Sequence, residues 1–102
     1  ADAIAHHVAA RLGYSVTALK HRDQSKGVSY ARKHVMWAMR VLTQMSYPEI
    51  GRFFGRDHTT VIAACAFVDG LRSLYYEARE RTDALLTGLT SDVRPAFAVM
   101  CL

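Results

Sequence analysis

Ser46-Tyr-Pro-Glu-Ile-Gly-Arg-Phe-Phe-Gly-Arg-Asp-His-Thr-Thr-Val-Ile62 is the stretch whose reading decides the fold. Ser46 and Glu49 have the S-x-x-E spacing of a capping box, and Pro48 falls in the opening turn, where a missing N–H costs a helix little. A helix therefore starts here. Gly55 supplies a turn, and Asp57 is a second N-cap candidate. Behind it Val61, Cys65 and Val68 recur at helical spacing, so a second helix begins near His58. Short helix, glycine turn and longer helix outline a helix-turn-helix over about residues 46–76. The polar group Asp57, His58, Thr59 and Thr60 stands at the front of the second helix, the end that meets base edges in such motifs.

Upstream, Ile4, Ala5, Val8, Ala9 and Leu12 predict an amphipathic helix from about Asp2, closed by Gly13. Ser15 caps a short helical turn through Leu19, and Lys20 to Gly27 reads as a polar loop in which Gly27 breaks any helix. Ala31, Val35, Ala38, Met39 and Leu42 predict the next helix from about Ser29 to Thr43. Trp37 and Val41 widen its apolar face, with Arg32, Lys33 and Arg40 pointing elsewhere. Downstream the apolar pattern runs through Leu71, Leu74, Tyr75, Ala78, Leu85 and Leu86 to Gly88, as one helix or two, since Gly70 weakens a helix without necessarily ending it. Ser91 or Asp92 is expected to cap a last short helix in an apolar extension over about residues 89–102. With no alternating strand pattern, the class is all-α, one domain over residues 1–102.

The formal charge is +4, and its placement says more than its size. Eight basic residues lie between Lys20 and Thr60 against three acidic ones, whereas the remainder is slightly acidic, so the positive excess gathers in and before the helix-turn-helix. That distribution suits a polyanion, or else a plain solvated surface. Cys65 and Cys101 form no C-x-x-C pair and read as reduced core residues. The five histidines have no zinc spacing, and no glycine loop cradles a phosphate. Glu49 has no second carboxylate near it for acid–base work. Neither catalysis, metal nor cofactor is expected, nor is a nucleotide or a membrane partner; the expected location is cytoplasmic, with the nucleoid.

Recognition of double-stranded DNA has more support. A helix N-terminus offers unpaired N–H groups and partial positive charge. Thr59 and Thr60 each carry a hydroxyl and a methyl, His58 donates or accepts, and Asp57 can accept from a cytosine amino group. The plainer reading is that Asp57 only caps the helix and the threonines are ordinary first-turn residues. A different alternative is a protein interaction module or homodimerising adaptor without specific DNA readout, suggested by Trp37, Tyr75, Tyr76 and the apolar tail from Phe97 to Leu102.

Pro48-Glu-Ile-Gly51 and Phe54-Gly-Arg-Asp-His-Thr-Thr-Val61 resemble the signature of the C-terminal DNA-binding domain of DnaA, the bacterial replication initiator. The likeness extends from the first helix to about Leu86. It implies a compact helical bundle of the Trp-repressor-like kind that binds a DnaA box, with Asp57, His58, Thr59 and Thr60 reading bases in the major groove. It also implies a basic loop, Arg22 to Lys26, reaching the minor groove, DNA contacts from Arg32 and Lys33, and a phosphate contact from Arg40. Ser46 and Arg56 complete the candidates for backbone contact. Two departures stand out: Gly55 is single where the family usually has two glycines, and Asp23, Gln24 and Gly27 replace more basic loop residues. The initiator's ATPase module is absent, so an excised domain or a stand-alone bacterial or phage relative is expected, acting at replication origins or in transcription control.

Overall fold

A computed structural model of the protein describes residues 2–21 and 25–87, which form six helices and no strand. Helix α1 spans Asp2–Arg11, α2 Val16–Lys20, α3 Lys26–Leu42, α4 Tyr47–Phe54, α5 His58–Leu74 and α6 Tyr76–Leu86. The all-α class is thus the observed one. Gly13 ends α1 in a left-handed conformation (φ 86°). The Tyr14 N–H returns to the Ala9 carbonyl at 2.9 Å, which also accepts the Leu12 N–H at 3.0 Å, and the Gly13 N–H bonds Ala10 at 3.0 Å, so the last carbonyls of the helix are satisfied at the turn. Ser15 then caps α2, its Oγ accepting from the Ala18 N–H at 3.1 Å.

The bundle is organised around α3, which packs on α1, α2, α4 and α5. Because partners lie on several sides, nearly its whole middle is buried: Ala31, Val35, Met36, Trp37, Ala38 and Met39. Trp37 is 2% exposed, and burying its indole leaves a donor to satisfy, which Asp69 Oδ1 accepts at 3.0 Å from α5. Val8, Leu19, Ile50, Phe54, Val61 and Val68 bring the other helices onto this core. The five residues of α2 and eight of α4 are too few to hold as isolated helices, so tertiary packing supplies their stability.

Two sequence expectations are corrected, and one left open is decided. The third helix begins at Lys26, not Ser29, so Gly27 lies in its first turn instead of breaking it. A Cβ at Gly27 would sit 2.5 Å from Tyr14 Oη, the free end of a side chain that can swing aside. Arg32 does not point away from the core: it is 7% exposed, its Nε donating to the Leu19 carbonyl at 2.6 Å and its Nη2 to His21 at 3.0 Å. These carbonyls end α2, where a cation is favoured by the helix dipole. The downstream pattern is two helices, but the break falls at Tyr75 in an extended conformation (φ −128°, ψ 122°), and Gly70 stays inside α5. Arg72 locks the two together through Thr82 Oγ1 and Asp83 Oδ1, the latter at 2.9 Å. The expected final helix, the apolar extension, Cys101 and loop residue Arg22 lie outside the described residues. No described helix is long and apolar enough to cross a membrane.

Candidate nucleic-acid interface

The helix-turn-helix is assembled from local rules at each joint. At the start of α4, Ser46 Oγ accepts from the Glu49 N–H at 3.3 Å, and Glu49 Oε1 accepts from the Ser46 N–H at 2.9 Å. This is the reciprocal capping box that the spacing predicts. The Ser46 backbone N–H in particular holds the Glu49 carboxyl below its ordinary range. At the other end Gly55 adopts φ 67°, the Arg56 N–H bonds the Gly51 carbonyl at 2.8 Å, and the Gly55 N–H bonds Arg52 at 3.2 Å. A single glycine thus closes a complete Schellman turn.

Gly51 sets how closely α4 approaches the next helix. A Cβ there would lie 2.6 Å from the Arg56 carbonyl oxygen and 3.4 Å from the His58 nitrogen, so only glycine lets the turn fold back onto α4. Ile50 and Phe54 on the same helix are buried, which fixes its roll against α5.

The result is that Asp57, His58, Thr59 and Thr60 are all exposed at the leading end of α5, with Val61, Ala64 and Cys65 behind them in the core. Asp57 occupies the N-cap position with the expected extended backbone, yet makes no capping bond of the Ser15 kind to α5. Its carboxylate instead accepts from Thr59 Oγ1 at 2.7 Å and lies 3.1 Å from His58 Nδ1. The Thr59 hydroxyl, with His58 adding to it, holds Asp57 below its ordinary range and therefore ionised at neutral pH. A carboxylate only accepts, so in this contact the proton sits on Nδ1, which leaves Nε2 of a neutral His58 as an acceptor. The three side chains form one oriented unit.

The basic candidates divide. Lys26 is exposed in the first turn of α3. Lys33 is half-buried with its Nζ 4.4 Å from the centre of the Phe67 ring, and it lines a groove between α3 and α5 together with Ser29, Thr59 and Thr60. Arg40 is exposed, lies over the Tyr47 ring at 4.4 Å and donates to the Met45 carbonyl at 2.8 Å. Arg56 is half-buried and turned inward: one nitrogen donates to the Phe54 carbonyl at 2.9 Å, another to His21 at 2.8 Å. Arg32 and Arg56 therefore converge on one carbonyl, that of His21, and tie the end of α2 to both α3 and the helix-turn. Sequence reasoning missed Ser29 and Phe67 as walls of the groove beside the threonines; Phe67 is 39% exposed, although its apolar character suggests core.

Among the described residues no three His, Cys, Asp or Glu side chains converge as metal ligands. Burial pushes the Cys65 thiol up to about 11, so it is a neutral packing group and not a nucleophile.

Comparison with known proteins agrees with this geometry. Residues 1–68 match the family described as bacterial dnaA protein helix-turn-helix. The chromosomal replication initiator protein DnaA of Geobacter sulfurreducens is 37% identical over 91 residues, 88% of this chain and 20% of that protein. The proteins of the same name from Treponema pallidum and Magnetococcus marinus are 39% identical over 70 residues (68% of this chain, 15% of that protein) and 51% identical over 55 (53% and 12%). The chain thus spans about a fifth, or less, of the length of these relatives. On the match over residues 1–68 and the fold that carries it, the chain belongs to the bacterial DnaA helix-turn-helix family, a non-catalytic DNA-binding family.

Proposed function

We propose that this protein binds double-stranded DNA sequence-specifically, with the front of α5 in the major groove and Asp57, His58, Thr59 and Thr60 as the base readers. The observation that carries the reading is the exposed, mutually bonded Asp57–His58–Thr59 unit at the tip of a helix whose inner face, Val61, Ala64, Cys65 and Val68, is packed in the core. Readers held in one orientation before binding lose little conformational freedom on contact. Lys26, Lys33 and Arg40 supply backbone contacts, with Ser46 and the loop at Arg22 as further candidates. Arg32 and Arg56 contribute through placement of the α2 end, because their guanidinium groups already hold carbonyls. The relatives' name, replication initiator, favours sites of the DnaA-box type at a replication origin over transcription control.

Selection of bound duplexes from a random pool tests this directly. A recurring motif is expected. His58→Ala or Thr59→Ala should weaken binding to it by roughly tenfold or more and relax the base preference. Lys33→Ala should weaken binding to all sequences and make the salt dependence shallower. No enriched motif, or equal losses on specific and random DNA for both classes of variant, would remove the major-groove assignment.

A second reading draws on the exposed corner between α5 and α6, where Leu74, Tyr75 and Tyr76 are 76%, 54% and 69% exposed. Such a cluster suits a protein partner. Trp37, which the sequence offers for the same role, is buried and gives it no support. A complex that survives His58→Ala and high salt but is lost on Tyr76→Ala would favour this reading.

A further inference from the structure

The polar tip of α5 has an apolar counterpart at its other end. There α5 stops at Leu74 and α6 starts at Tyr76, and Leu74, Tyr75 and Tyr76 are the most exposed large apolar side chains among the described residues. The corner is firmly held. Tyr75 closes it from both sides, its N–H on the Leu71 carbonyl at 2.9 Å and its own carbonyl accepting the Arg79 N–H at 3.2 Å, while Arg72 bonds Asp83 at 2.9 Å across the turn. The Tyr76 hydroxyl is held by the Glu80 carboxylate one turn on, which pushes the phenol up from its ordinary range and leaves only the ring to be covered. Rings fixed in advance lose little freedom on contact. With 17 residues in α5, the corner stands about 25 Å from the reading tip, so it can be engaged while the tip is on DNA.

We infer that this corner and the outer face of α6 form a weak two-fold contact with a second copy of this chain, which joins copies bound at neighbouring inverted DNA sites. Area, charge and register select that occupant. At about 200 Å² for a whole large side chain, the exposed parts of the three residues present about 400 Å², half of the roughly 800 Å² per partner in a stable complex. The contact is therefore too small to hold molecules free in dilute solution, and large enough for molecules already held side by side. The charges on α6 are self-complementary: Glu77 and Arg81 are both exposed, four residues apart on one face, and no ion pair among the described residues takes up either. Laid antiparallel on its copy about residue 79, α6 sets Glu77 against Arg81 of the partner subunit, and the reverse, as a two-fold axis requires. The same register brings the apolar corner to the partner subunit's Ala84, an exposed small side chain that leaves room for it. The joining of bound copies rests on the DNA-binding reading; the contact itself does not.

The contact is read first without DNA, from amide shifts in NMR spectra of the full chain between micromolar and millimolar concentration. Shifts that move with concentration are expected over residues 73–84 and not at the reading tip. Tyr76→Ala should abolish them. Glu77→Arg should weaken them, and Glu77→Arg combined with Arg81→Glu should restore them, because each copy then carries both signs again; a partner of any other sequence would not be rescued this way. These positions are exposed, so circular dichroism should show all the variants folded. On duplexes carrying two selected sites, the second molecule should bind on the order of tenfold tighter than the first at inverted sites of one spacing, with no gain at direct repeats. Tyr76→Ala should remove that gain and keep single-site affinity. Shifts that do not depend on concentration, that survive Tyr76→Ala, or that the charge swap fails to rescue overturn the inference, return the corner to a different protein partner or to none, and leave the DNA-binding reading standing. Self-contact with no gain at any inverted spacing overturns the joining of bound copies. A pool that yields no motif removes the DNA-binding reading and the joining with it, while the shifts still decide the contact.

Discussion

The two helices of the helix-turn-helix begin alike in backbone and differently in side chains. Ser46 and Asp57 both adopt the extended conformation of an N-cap, at φ −77° and −72°. At α4 the available groups turn inward on the backbone: the serine hydroxyl takes the Glu49 N–H and the glutamate takes the Ser46 N–H. At α5 the cap carboxylate turns to its neighbours, holding the Thr59 hydroxyl and His58. The first helix is thus closed at its start by its own residues, and the second is arranged to present side chains. The difference teaches that one helix is there to position and the other to contact. A helix start that forgoes its own capping bond keeps both its dipole and its polar side chains for an incoming anion or base.

Disrupting the joint between the two helices should have the largest effect. Gly51→Ala places a Cβ 2.6 Å from the Arg56 carbonyl oxygen, a backbone atom that cannot rotate away. The variant should lose about 2 kcal/mol in urea denaturation, within the usual range for overpacking. It should also lose sequence-specific binding, because the tip of α5 is re-aimed. Gly70→Ala is the control within the same pair of helices, since nothing lies within 4 Å of its added Cβ. It should gain up to about 1 kcal/mol from helix propensity. If both substitutions behaved alike, close approach at Gly51 would not be what fixes the motif.

The caps themselves should separate stability from recognition. Ser46→Ala should lower stability by about 1 kcal/mol and leave base preference as it was. Asp57→Ala removes no backbone capping bond of that kind and should change stability by less than about 0.5 kcal/mol. Its affinity for the selected duplex should nonetheless fall by about tenfold, because Thr59 and His58 lose the acceptor that orients them. Thermal melts and binding isotherms on the two variants measure both quantities. A destabilised Asp57→Ala with unaltered affinity would invert the contrast and make Asp57 an ordinary cap.

Much of this contrast was legible in the sequence because it is local. The capping box, the Gly55 turn and the start at His58 follow from spacings of a few residues, and the leading tetrad is exposed as expected. What escaped depends on distant partners. Gly27 reads as a breaker, yet α3, packed on four other helices, starts ahead of it and carries it in the first turn. Arg32 and Arg56 count as free cations until the carbonyls of Leu19, His21 and Phe54 come within reach, which no periodicity encodes. Phe67, outside the Val61, Cys65 and Val68 pattern, stays part-exposed where Lys33 and Tyr30 of α3 meet its ring. The division between α5 and α6, which the sequence leaves open as one helix or two, is decided in a related way. Gly70 marks intrinsic helical weakness, but Arg72 bonded to Thr82 and Asp83 stabilises the corner further on, at Tyr75.

Acid should reveal the smallest and most specific difference between the two helix starts. Both carboxylates are held below their ordinary range, Glu49 chiefly by the Ser46 backbone N–H and Asp57 chiefly by the Thr59 hydroxyl. For a group whose folded pKa is depressed, the unfolded chain binds more protons between the two values. Its stabilisation is complete above the unfolded pKa and is lost as pH falls through the folded one. Glu49 should therefore contribute at neutral pH and cease to contribute well below about pH 4. Glu49→Gln keeps a side-chain oxygen for the Ser46 N–H but has no proton to gain, so its Tm should fall less than that of the unaltered protein between about pH 7 and about pH 3.5. Equal acid shifts in Tm would mean that the capping box does not couple to folding. Asp57→Asn makes the companion comparison: with its depressed carboxyl removed its Tm should also fall less in acid than that of the unaltered protein, and, unlike Glu49→Gln, it should lose affinity for DNA at neutral pH. The oxygen of an asparagine is a weaker acceptor for the Thr59 hydroxyl than a carboxylate, so the orientation of the readers suffers even where the fold does not.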